Sequence, residues 1–232
     1  MFERLAVDCG SVLFDPARVD DPGWQLFDRA RWRERGALTA ERGGRGSIDF
    51  IEDGHRSWAL RRYLRGGLPA RIARERYLFL GEDRTRSFRE LRLLARLRSL
   101  GLPVPAPVAA GYRRSACTYV AEIITERLAG TIPLINSLHS GGMDGARWDA
   151  VGRCLRRFHD AGVQHADLTA RNILVDDAGG VWLLDFDRGR LREPGTWRAG
   201  VIERLARSLA KHAAPGHEWR AGFERLRRAH GN

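Results

Sequence analysis

Lysine is almost missing from this chain: Lys211 is the only one, and the other 39 of its 40 basic residues are arginine. Cysteine is scarce as well. Cys9, Cys117 and Cys154 are odd in number and far apart, with no Cys-x-x-Cys and no Cys/His spacing. That excludes a zinc framework and reads as reduced thiols in a cytosolic protein. No run of 18 apolar residues occurs, so no membrane span is predicted. The first ten residues carry Glu3 and Asp8 and lack an apolar stretch of signal-peptide length, so export is not expected. Internal repeats and low-complexity tracts are also lacking.

What remains is an ordinary globular composition with an unusual charge. At 232 residues, 43% hydrophobic and 30% charged, the chain can bury a proper core as one large domain or two small lobes. Wholesale disorder, a collagen-like repeat and a multi-span membrane protein are excluded. The net charge of +11 attracts polyanions, which at this level could be nucleic acid, an anionic membrane face or a phosphorylated small molecule. No recognisable nucleic-acid-binding motif accompanies the charge, so nucleic acid is not expected as a partner.

Punctuation divides the chain. Residues 1–36 read as an N-terminal extension, with a turn at Asp20-Asp21-Pro22-Gly23 and a short helix carrying Trp24, Phe27 and Trp32. A glycine cluster, Gly43-Gly44-Arg45-Gly46, precedes an alternating strand at Ile48–Ile51, a turn at Asp53-Gly54 and a partner strand at Trp58–Arg61. Phe88, Leu91, Leu94 and Ala95 repeat at helical spacing over Ser87–Leu100, and Gly101 followed by Pro103, Pro105 and Pro107 stops that helix. A strand is predicted at Tyr119–Ile124 and a boundary at Thr125–Gly130. Beyond it lie a helix with Trp148, Val151, Leu155 and Phe158, a hairpin of Ile173–Val175 and Val181–Leu184, and two closing helices. The reading is α+β: a β-rich part with one main helix at 37–127, then an α-rich part with one hairpin at 128–232.

The chemistry is concentrated in His165-Ala166-Asp167-Leu168-Thr169-Ala170-Arg171-Asn172, which leads into the hairpin, and in Asp185-Phe186-Asp187, which leaves it. A hairpin brings its two strand ends together, so Asn172 and Asp185 are expected side by side. An amide oxygen and a carboxylate suit Mg²⁺, which fills its remaining positions with phosphate and water. His-x-Asp-(x)4-Asn followed by Asp-Phe-Gly or a variant resembles the protein-kinase-like fold, which is bilobal. That resemblance implies that Asp167 positions and deprotonates an acceptor hydroxyl, and that Asn172 and Asp185 hold the metal on ATP. It also implies a glycine cradle, Gly43, Gly44, Arg45 and Gly46, for the phosphates. A cation is required on the strand after it, paired with a glutamate on the first long helix. With Lys211 near the C-terminus, the cation must be Arg61, paired with Glu90; Arg62, on the opposite strand face, is the competitor.

Two departures matter. Ala166 stands where regulated protein kinases carry an arginine, and Asp187 where they carry glycine. The segment after Asp187 is too short for a long activation loop, so a small-molecule or lipid-linked acceptor is expected.

A narrower resemblance covers most of the chain. Ala59-Leu60-Arg61-Arg62-Tyr63 with Arg65-Gly66-Gly67-Leu68, then Arg86-Ser87-Phe88-Arg89-Glu90, Gly101-Leu102-Pro103-Val104-Pro105, Asn172-Ile173-Leu174 and Asp185-Phe186-Asp187-Arg188-Gly189 are similar to the 3-deoxy-D-manno-octulosonic acid (Kdo) kinases, in the lipopolysaccharide kinase family of Gram-negative bacteria. The resemblance implies an ATP- and Mg²⁺-dependent kinase that phosphorylates the 4-hydroxyl of Kdo on a Kdo-lipid A precursor. It would work as a peripheral protein on the cytoplasmic, anionic face of the inner membrane. Arg65, Arg71, Arg74, Arg76, Arg171, Arg188 and Arg190 are then candidates for meeting the anionic acceptor. The alternatives are a heptose- or aminoglycoside-type phosphotransferase, an atypical protein kinase, a pseudokinase or a basic nucleic-acid-binding protein.

Overall fold

The computed structural model describes residues 1–41, 48–64, 76–213 and 219–231. Gly43, Gly44, Arg45, Gly46, Arg65, Arg71 and Arg74 lie outside the described residues. The chain forms two compact units. One comprises Met1–Ala95 with Ala106–Arg127, the other Arg96–Pro105 with Leu128–Asn232.

The first unit is built on an antiparallel sheet. Its strands are β1 (Glu3–Val7), β2 (Gly10–Phe14), β3 (Leu38–Glu41), β4 (Ile48–Asp53), β5 (Arg56–Arg62), β6 (Tyr77–Leu78), β7 (Pro107–Ser115) and β8 (Thr118–Glu126). They run in the order β1-β2-β7-β8-β5-β4-β3, with β6 on β8. Residues 1–36 are therefore not an appendage to the sheet: β2 pairs residue by residue with β7, Ser11 opposite Tyr112 and Leu13 opposite Ala110. The reason is local. β1 is an exposed edge strand with no buried position, so it carries no alternation to be read, whereas β2 is buried from Ser11 to Phe14.

The β4–β5 hairpin forms as expected, Ile51 opposite Trp58, closed at Gly54 with φ 61°. Period-two alternation gives β5 two faces. Trp58 and Leu60 join a core with Leu26, Phe27, Trp32 and Ile124, to which the 3-10 turn Trp24–Phe27 and α1 (Arg29–Glu34) contribute. Asp28 caps α1 by accepting the amides of Ala30 and Arg31. On the other face lies α2 (Arg86–Ser99), whose Phe88, Leu91 and Leu94 are buried. Ser87 ties the start of this helix to the sheet by donating to the Gly111 carbonyl at 3.0 Å.

The second unit holds α3 (Leu134–His139), α4 (Gly145–Asp160), α5 (Trp197–His212) and α6 (Trp219–His230). Its short strands are β9 (Ile132–Pro133), β10 (Val163–Gln164), β11 (Ile173–Val175), β12 (Val181–Leu183) and β13 (Arg190–Leu191). The predicted hairpin is β11–β12, with β9 as a third strand and β13 pairing with β10. Helices α4 and α6 approach closely through two glycines. A Cβ on Gly152 would lie 2.4 Å from the Leu226 carbonyl oxygen, and one on Gly222 would lie 2.0 Å from Trp148 Nε1. Asp144 caps α4 by accepting the Arg147 amide.

Candidate active site

In the first unit, alternation along β5 separates the two arginines that the sequence left in competition. Arg61 points to the α2 face, where its Nη2 lies 2.7 and 2.6 Å from the two oxygens of Glu90. Glu90 is 2% exposed. Tyr63, two residues along the same face, donates its hydroxyl to Glu90 at 2.5 Å, and the Arg61 guanidinium sits 4.8 Å from the Tyr63 ring centre. Arg62 points the other way, and its Nε bonds Glu122 at 2.7 Å. Arg29 of α1 reaches that same glutamate at 2.5 Å and Asp49 at 2.6 Å. Arg61 is thus the arginine built into the pair with the α2 glutamate, and Arg62 belongs to a polar network on the opposite face. Tyr63 was within reach of the sequence, since it shares the parity of Arg61.

In the second unit, the loop between β10 and β11 carries Asp167. His165 is 3% exposed. Its Nε2 lies 2.7 Å from the Leu184 carbonyl, and its Nδ1 faces the Asp167 amide at 3.3 Å. A carbonyl can only accept and an amide N–H can only donate, so the proton is on Nε2 and Nδ1 is the acceptor. The ring must be neutral for this, and burial, the largest influence, holds its pKa below the usual histidine value. Phe186 packs against His165, ring centres 4.7 Å apart, and stacks on Phe158 of α4 at 5.8 Å. One buried histidine thereby couples the Asp167 loop to the segment after the hairpin.

The hairpin register pairs Ile173 with Leu183, and the Leu184 amide bonds the Asn172 carbonyl at 2.9 Å. Asn172 is therefore opposite Leu184, one residue short of the expected partner, and Asp185 follows in the left-handed region at φ 62°. Asp tolerates that conformation better than most residues, and here it turns the chain sharply at the end of the hairpin. Asn172 donates its amide nitrogen to the Asp167 carbonyl at 3.2 Å, which assigns the amide and leaves its Oδ1 as an acceptor. Two contacts from α5 complete the loop: Ser208 Oγ accepts the Ala170 amide at 3.1 Å, and Arg204 Nη1 bonds Asp167 Oδ1 at 2.9 Å. No local pattern announced Arg204, which lies 37 residues from its partner on an arginine-rich helix.

Comparison with known proteins bears on what these clusters serve. Residues 29–224 match the Lipopolysaccharide kinase (Kdo/WaaP) family. The chain belongs to this family. Among curated relatives, it is 45% identical over 224 residues to a 3-deoxy-D-manno-octulosonic acid kinase of Stenotrophomonas maltophilia, covering 95% of this chain and 89% of that protein. Proteins of the same name from Xylella fastidiosa and Xanthomonas oryzae pv. oryzae are 46% and 43% identical with the same coverage.

A lipopolysaccharide kinase is a phosphotransferase that acts on a hydroxyl, and the residues present fit the groups such an enzyme uses. Among the described residues no cluster of three or more His, Cys, Asp or Glu could cage a metal. The groups that would hold a Mg²⁺ shared with phosphate and water are the amide oxygen of Asn172 and the carboxylate of Asp185, oxygen donors of the type that ion takes. No helix among the described residues is long and apolar enough to cross a membrane.

Proposed function

We propose that this lipopolysaccharide kinase phosphorylates the 4-hydroxyl of Kdo on a Kdo-lipid A precursor, with ATP as donor, in inner-core biosynthesis. The observation that carries this reading is identity of 43% to 46% across 95% of the chain with proteins named 3-deoxy-D-manno-octulosonic acid kinase. Asp167 holds the acceptor hydroxyl and takes up its proton as the oxygen attacks phosphorus. Asn172 and Asp185 hold Mg²⁺, which supplies charge neutralisation on the transferring phosphoryl group. Arg61, oriented by Glu90 and Tyr63, clamps the nucleotide phosphates, and Gly43, Gly44, Arg45 and Gly46 cradle them through backbone N–H groups. The two units act as the nucleotide and acceptor lobes of a kinase-like enzyme. It works at the cytoplasmic face of the inner membrane, where the excess of arginine favours an anionic surface.

The test is phosphate transfer from ATP to purified Kdo-lipid A, with the product position read by NMR. Asp167→Asn keeps the side-chain shape and removes the base, so activity falls by about a thousandfold, within the range for loss of a general base. Absence of transfer to any Kdo-containing acceptor, or faster transfer to an aminoglycoside or a protein, refutes the substrate assignment. Undiminished activity in Asp167→Asn refutes the role of that residue.

A further inference from the structure

We infer that Arg204 positions Asp167 and also reads the carboxylate of an acidic sugar acceptor. The inference rests on the kinase reading above and names the group on the acceptor that its site selects.

Helix α5 supports the Asp167 loop from one face. Arg204 and Ser208 are four residues apart, one above the other on the helix, and they bond Asp167 and Ala170 respectively. Ser208 is buried and makes a fixed structural contact. The Arg204–Asp167 pair differs: the side chains are 45% and 51% exposed, so a solute reaches both. An ion pair this exposed adds little to stability, and its bonds are easily shared with an arriving anion.

The atoms left over define the ligand. Arg204 uses Nη1 on Asp167 Oδ1, and among the described residues its Nε and Nη2 make no other hydrogen bond. A guanidinium has five N–H donors arranged as a fork that matches a carboxylate. Asp167 keeps Oδ2 without a hydrogen bond among the described residues, available to a hydroxyl. The pair therefore offers, side by side, an acceptor for a hydroxyl proton and donors for an anion. A sugar acid with its reactive hydroxyl a few bonds from its carboxylate satisfies both at once. In a 3-deoxyoctulosonic acid the 4-hydroxyl carbon is three bonds from the carboxylate carbon. A neutral hexose or heptose satisfies only one. Arg171, exposed on the same loop, adds positive potential to the approach.

The experiment compares Kdo-lipid A with its counterpart in which the Kdo carboxylate is reduced to an alcohol, for the wild type, Arg204→Ala and Arg204→Lys. The wild type prefers the acid by about 100-fold in kcat/KM, the selectivity expected of a charge-assisted forked contact. In Arg204→Ala that preference collapses to within about threefold of unity, chiefly through the acceptor KM, whatever loss the two acceptors share from a looser Asp167. Arg204→Lys restores about tenfold, since it supplies charge without the fork. A preference unchanged in Arg204→Ala overturns the inference and leaves the kinase reading intact. A wild type inert on both acceptors overturns the kinase reading itself. Melting temperatures of the variants control for folding, and circular dichroism confirms that any common loss is not unfolding.

Discussion

Substituting alanine for Arg61 removes a guanidinium that bonds both oxygens of a carboxylate only 2% exposed, and the magnitude of the damage follows from which partner can reach water. Glu90 cannot reach it. Removing one partner from a buried ion pair costs about 3–5 kcal/mol where the charge left behind is uncompensated, and every partner that stays lowers the cost. The Tyr63 hydroxyl still donates to Glu90, which puts the cost near the lower bound, about 3 kcal/mol. The converse substitution, Glu90→Gln, leaves Arg61 with its side chain 25% exposed and able to take up water. The glutamine retains a carbonyl oxygen for Tyr63 and Arg61, so about 1–2 kcal/mol is lost.

For a chain of this size 1 kcal/mol moves the melting temperature by about 2–4 °C, so Arg61→Ala should melt about 6–12 °C below the wild type. Urea denaturation followed by tryptophan fluorescence gives the same comparison at fixed temperature. The double variant Arg61→Met, Glu90→Met replaces the pair with apolar volume and should recover at least half the loss, while transferring no phosphate if Arg61 is the clamp. A drop of less than about 2 °C in Arg61→Ala, or greater damage from Glu90→Gln, would refute the reasoning from burial.

Two further outcomes follow from the second unit. His159, buried at 2% exposure beside His230 at 2.7 Å, has its pKa pushed down to about 4 from 6.5, first by burial and then by the nearby His230 and Arg198 charges. Its neutral form is the one that folds, so its stabilisation is complete above about pH 6.5 and is lost as pH falls towards 4. The urea midpoint should therefore drop between pH 7 and 5 and do so less steeply in His159→Gln; parallel slopes would contradict it. Gly222→Ala and Gly200→Ala should differ in sign. The first forces a methyl onto the buried Trp148 ring and costs about 1–3 kcal/mol, whereas the second, with nothing within 4 Å, gains up to about 1 kcal/mol of helix propensity, both read as melting temperatures.

Legibility in the sequence tracked how local each signal was. The stop of α2 is written in Gly101 and three alternate prolines, and the β11–β12 hairpin in two apolar runs around a Gly-Gly turn; both form where expected. Arg61, Tyr63 and Glu90 were reachable because a strand parity and a helix phase put them on facing surfaces. β1 was not, because an exposed edge strand needs no alternating pattern, and neither was α3, six residues beginning directly after Pro133. Arg204 and Glu122 escaped for a different reason. Each is chosen by a partner dozens of residues away, Asp167 for one, Arg29 and Arg62 for the other, so only the folded chain brings the pair together.

The shortage of lysine separates two facts that the net charge of +11 runs together. A lysine-rich chain with the same total would be drawn to the same anions, since long-range attraction depends on charge and not on its chemical form. The short-range contacts here would not survive the exchange. Arg56 bonds Asp20 and Asp53 while lying 5.6 Å from the Trp58 ring centre. Arg127 bonds Glu52 and covers Phe50 at 4.2 Å, and Arg29 joins Asp49 to the buried Glu122 through two different nitrogens. Each use needs a flat, multi-donor cation that can pair at its edge and stack on its face, which an ammonium group cannot do. The sign and size of the charge speak to attraction for anions, while the choice of arginine speaks to contacts within the fold. At Arg61 the two demands meet in the role proposed for it, because one planar cation that already satisfies a buried glutamate and a tyrosine ring would also have to present charge to a phosphate.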